Sequence, residues 1–120
     1  GYIASSGRGA RIVSFGKNAQ IASSGDCANI VSFGDAARIS TSGYNDKVCC
    51  DGDGSVVVCS GSNSKVKASV GTWITLTEWK WCEEMQRMVP FTCTRYVDGE
   101  LIKAYTWYTV KDNDFVETEI

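Results

Sequence analysis

Catalysis in a small domain rests on a few side-chain types, and one of them is missing: there is no His among the 120 residues. Without an imidazole, the common Ser–His and Cys–His nucleophile pairs are excluded. Ser is abundant because a short repeat uses it. Glu83 and Glu84 are adjacent carboxylates that could do acid–base work if buried, but neighbours on a turn usually face water. "DGDG" at 51–54, with Asp35 one coil below Asp53, is the only acidic cluster, and it reads as a solvated turn rather than a metal site. The six Cys (27, 49, 50, 59, 82 and 93) include no C-x-x-C pair and have no His to complete a zinc site. They read as reduced structural thiols, which favours a reducing compartment such as the cytoplasm, with disulfides as the alternative. "GRGARI" (7–12) and "GDGSVV" (52–57) lack the third Gly and the following helix of a phosphate cradle. No catalytic residue, metal or cofactor is expected.

These residues are carried by a repeat. Gly7, Gly16, Gly25, Gly34, Gly43, Gly52 and Gly61 stand nine residues apart without a miss. Counted so that this Gly is the ninth position, the third is small in most copies, the fifth is Ile or Val (Ile3, Ile12, Ile21, Ile30, Ile39, Val48, Val57, Val66), and the seventh is Ser, Thr or Cys in most copies. Alternation of small, branched and small residues is the period-two pattern of a strand with one buried face. The third, fifth and seventh positions therefore point inward. Asn or Gly recurs at the second position (Asn18, Asn45, Gly54, Asn63), where left-handed backbone costs little.

Strand and corner in strict succession define a β-solenoid. "VSFG" occurs at 13–16 and again at 31–34, whereas the intervening copies read "ASSG" and "STSG". Outward positions thus echo every 18 residues. The expected architecture is an all-β, two-sided parallel β-roll with two nonapeptides per coil; a triangular helix would show a period of six that is absent. The calcium-binding toxin-type roll needs Asp at a fixed corner position. Here that corner is Arg8, Lys17, Asp26, Asp35, Tyr44, Asp53 and Ser62 in turn, so a calcium-free roll is expected. Flat solenoids that bind ice carry Thr ladders, and Thr41 is the only Thr before Gly71.

From Gly71 the grammar changes. All four Trp lie beyond it, and longer strands are expected at 72–81, 89–97, 100–110 and 114–120, with hairpin signals at Asp98–Gly99 and at "KDND" (111–114). The expected organisation is a solenoid at 1–71 and an antiparallel β cap at 72–120. A cap is physically required to cover the unpaired backbone of the last coil. The chain begins inside the repeat, at "GYIASSG", so the natural N-terminus is expected further upstream.

Two surfaces are candidates for recognition. Arg11, Val13 and Phe15, then Asn29, Val31 and Phe33, then Lys47 and Cys49 fall on one outward face. Val and Phe in register on a face that should be polar mark a contact, and Arg11, Val13, Phe15, Val31, Phe33 and Cys49 form the candidate interface. Self-association, docking of the cap or a foreign partner could bury it. The strand edge formed by residues 1–6 is a second exposed element, which invites pairing with another copy. Trp79 with Trp81, and Tyr105 with Trp107, share a strand face by alternation and are the candidate ligand surface for a protein or glycan; the alternative is that they form the cap's own core. Net charge is −2, with seven Lys/Arg against five Asp/Glu before Gly71 and five against nine after it. Neither half is a nucleic-acid patch, and no apolar run approaches a membrane span.

With both halves in view, the chain resembles an uncharacterised group of bacterial and phage-encoded nonapeptide-array proteins that end in a segment of the type "GxWIxLxEW…VDGExIKAxTWYxxKDxxFVE". That segment is matched by "GTWITLTEW" (71–79) and "VDGELIKAYTWYTVKDNDFVE" (97–117). The resemblance covers nearly the whole chain. It implies a shared architecture and no activity. The expected role is a structural or interaction scaffold that forms homo-oligomers, with a binding module that uses the aromatic cap as the alternative.

Overall fold

The computed structural model describes all 120 residues, and each nonapeptide of the array forms one four-residue strand and one corner. β1 (Tyr2–Ser5), β3 (Gln20–Ser23), β5 (Arg38–Thr41) and β7 (Val56–Cys59) stack in parallel in one sheet; β2 (Arg11–Ser14), β4 (Asn29–Ser32), β6 (Lys47–Cys50) and β8 (Lys65–Ala68) form the other. Pairing joins Ile3 to Ile21 and Ile12 to Ile30. The coil is therefore 18 residues long and two-sided.

The third, fifth and seventh positions fill the interior. Ala28, Ile30 and Ser32 are buried along β4 and the residue before it, and Ser55, Val57 and Cys59 likewise at β7. Small residues at both ends of each strand let the two sheets meet closely around a central Ile/Val column.

Two backbone devices make the corners. The second position is left-handed at Gly9, Asn18, Cys27, Ala36, Asn45, Gly54 and Asn63, and from Gly9 to Asn45 its N–H donates to the first-position carbonyl of the next coil, as from Cys27 to Tyr44 and from Ala36 to Asp53. The ninth-position Gly has a different task. A Cβ on Gly43 would lie 2.0 Å from the Gly25 carbonyl oxygen, and one on Gly34 or Gly61 would meet the coil below just as closely. These glycines are required by the close approach of coils, not by their φ.

The C-terminal residues complete both sheets. β9 (Trp73–Cys82) joins β7 in parallel, with Val57 beside Ile74, and β10 (Arg87–Tyr96) returns antiparallel along it. Residues 97–107 then cross to the opposite sheet, where β11 (Tyr108–Lys111) pairs antiparallel with β8 at Val66 and β12 (Asp114–Glu117) closes the edge. Ile74, Leu76, Val97, Ile102 and Tyr108 belong to the same 17-residue core as the Ile and Val of the array.

The crossing corrects two expectations. Residues 100–107 do not continue a strand, because the chain must change sheets there. Asp98–Gly99 does not make a hairpin: Asp98 Oδ1 accepts from the N–H groups of Glu100 and Ile102 at 2.8 and 3.1 Å and tightens the loop instead. The "KDND" turn does form a hairpin, with Asp112 and Asn113 both left-handed. Glu78 on β9 accepts from the N–H groups of Asp112 and Asn113 at 3.1 and 3.3 Å, so the two hairpins are fastened to each other.

Candidate interaction surfaces

The outward residues of the β2 sheet line up as registered columns. Val13, Val31, Cys49 and Lys67 succeed one another, as do Arg11, Asn29, Lys47 and Lys65. At the eighth position, just beyond the strands, Phe15 and Phe33 stack with centroids 5.1 Å apart and rings 11° from parallel. Stacking at the coil spacing follows from the register itself, since identical residues 18 apart are neighbours one strand away.

The stripe stays uncovered at its first-coil end. Phe15 is 76% exposed and Val13 55%. The C-terminal loop reaches only the other end of these columns, where the Tyr105 hydroxyl donates to Asp51 Oδ1 at 2.9 Å and the Lys67 ammonium sits 5.4 Å from the Trp107 ring centroid. Docking of the cap therefore does not bury Phe15 and Phe33. Cys49, at the Lys67 end, is half-buried. Its thiol is pushed up by burial, against the pull of Lys67.

The aromatic residues divide between the two sheets. Trp79 (36% exposed) and Trp81 (54%) share a face of β9, opposite Pro90 and Met88 on β10. Tyr105 and Trp107 lie in the crossing loop beside the other sheet, and Tyr105 has φ 53°, so the common strand face expected for this pair does not exist. The four residues do not form a single surface. Only Tyr108, among the aromatics of 105–108, enters the core.

The acidic corner is a structural device. Asp26 Oδ1 accepts from Tyr44 N–H at 2.8 Å and Asp35 Oδ1 from Asp53 N–H at 3.0 Å, each carboxylate satisfying a donor one coil above. Asp46 bonds in the opposite sense inside the roll, where Oδ1 accepts from Ala28 N–H, one coil below, at 2.8 Å and Oδ2 has no partner. Burial, reinforced by the charge of Asp26, pushes its carboxyl above the ordinary range. All six thiols are free, and burial pushes that of Cys59 up to about 12.

Composition alone does not single out a further apolar area, on the β1 sheet. Tyr2, Val56, Val58 and Trp73 are exposed there, and Trp73 packs on Tyr96 with centroids 4.9 Å apart. Val56 and Val58 stand at outward positions of the repeat, so the alternation pattern could have found them. No family model, curated protein or solved structure matches this chain.

Proposed function

We propose that this chain is a non-catalytic scaffold that associates with a second copy through its first coil. The observation that carries this reading is the uncovered apolar stripe on the outward face of the β2 sheet, where Val13 is 55% and Phe15 76% exposed and Phe15 stacks on Phe33 one coil along. Two copies that present the same stripe can bury it face to face about a two-fold axis. The resemblance of residues 71–79 and 97–117 to the terminal segment of nonapeptide arrays fits this role, since those residues close the roll.

The experiment is hydrogen exchange of residues 2–15 as a function of protein concentration. Protection of these amides is expected to rise with concentration, and to stay low at all concentrations in Phe15→Ser/Phe33→Ser. Protection independent of concentration in the unaltered chain would contradict the proposal.

A further inference from the structure

A second site lies where the β9–β10 hairpin passes the corners of the array, and it is independent of the first coil. Trp79 and Met88 form one wall of an open groove of about 470 Å³, Tyr44 and Asp26 contribute to another side, and Ser42, Ser60 and Ser62 line the remainder. That volume falls within the roughly 300–1,000 Å³ range of small-molecule sites.

The aromatic walls are held in place. Trp79 Nε1–H donates to the Ser60 carbonyl at 2.8 Å, and the Tyr44 hydroxyl accepts from Asn63 Nδ2 at 3.0 Å. Tyr44 is also tied through its N–H to Asp26 Oδ1. The indole has spent its only donor on the protein, so what it offers a ligand is its face. Tyr44 retains a hydroxyl proton, Asp26 a second oxygen, and the hydroxyls of Ser42 and Ser62 make no side-chain hydrogen bond within the chain.

Charge narrows the ligand class. No Lys or Arg lines the groove, which disfavours anions. Fixed ring faces, together with several hydroxyls and one carboxylate, match a ligand whose rings carry C–H groups on one side and many hydroxyls around the rim. We infer that the groove between Trp79 and Tyr44 binds a neutral saccharide, with Trp79 as the stacking platform and Asp26 as the principal acceptor.

The test is tryptophan fluorescence and NMR titration of the full chain with cellohexaose, maltohexaose and chitohexaose. Saturable binding of at least one sugar is expected below about 10 mM, weakened roughly tenfold or more in Trp79→Ala. Tyr44→Ala is expected to weaken it as well, and Trp107→Ala, in the crossing loop beside the other sheet, to leave it unchanged. Asp26→Asn keeps an oxygen for the Tyr44 N–H, and lost sugar binding in this variant with an intact thermal transition would separate recognition from folding. No saturable change with any of the three sugars overturns the inference. So does binding of tetramethylammonium without any sugar, which would assign the groove to a cation.

Discussion

Replacing Gly43 by Ala introduces one methyl group and should separate two coils. Its Cβ would lie 2.0 Å from the Gly25 carbonyl oxygen and 2.6 Å from the carbonyl carbon, closer than any real contact, and both atoms belong to backbone that cannot swing aside. Relief requires the coils to part locally, and two bonds flank the contact: Ser42 N–H to the Ser23 carbonyl at 3.0 Å and Tyr44 N–H to Asp26 Oδ1 at 2.8 Å. Their loss costs about 1 kcal/mol each. Residual overpacking adds about 1–3 kcal/mol, so a total of about 3–5 kcal/mol is expected. Gly16 is the control: it holds the same repeat position with no atom near its would-be Cβ, and Gly16→Ala should change stability by less than about 0.5 kcal/mol. Urea denaturation of both variants in dilute protein reads the difference. Equal midpoints for the two would refute the claim that the ninth-position Gly is there for coil approach.

Further outcomes follow from other parts of the roll. Ala36 and Cys27 hold left-handed backbone at φ 56° and 57°, so Ala36→Gly and Cys27→Gly are each expected to stabilise by about 1 kcal/mol, read as higher urea midpoints. The raised Asp46 carboxyl binds its proton more tightly in the folded chain, so stability falls as pH climbs from the ordinary Asp value through the raised one. Asp46→Asn should accordingly raise the melting temperature at pH 7, by about 1–3 kcal/mol of stability, with the gain shrinking towards about pH 4. For Glu78, burial works against the charged form, but the Asp112 and Asn113 N–H bonds and Lys80 outweigh it and hold the carboxyl below its usual range. Its contribution is present above the ordinary Glu value and disappears as pH falls through the lowered one. Glu78→Gln should speed amide exchange across 112–118 at neutral pH and have little effect at about pH 3.

The array is legible in the sequence because every coil restates the same local constraints. Inward Ile and Val at intervals of nine, and outward Phe15 and Phe33 at 18, lead directly to the two-sided roll. The role of the repeated Gly is less visible, since a corner needing left-handed backbone and a corner needing no Cβ leave the same letter. The left-handed residue stands two places later, and Cys27 and Ala36 occupy that place without a compositional hint. Residues 100–107 alternate like a strand but span the gap between sheets, and the partner of Tyr108 is Val66, 42 residues earlier. No local pattern encodes such a distant pairing. The groove at Trp79 is half legible: alternation puts Trp79 and Trp81 on one strand face, but does not say whether that face is outward or part of the core. Tyr44 joins Trp79 only because the hairpin runs past the corner column.

The most direct test of the scaffold reading is the mass of the particle in solution. Light scattering behind size exclusion, over a range of concentrations, should give a species approaching twice the 13.0 kDa chain mass, and Phe15→Ser/Phe33→Ser should return it to a single chain. A monomer at every concentration in the unaltered chain would contradict pairing through the first coil.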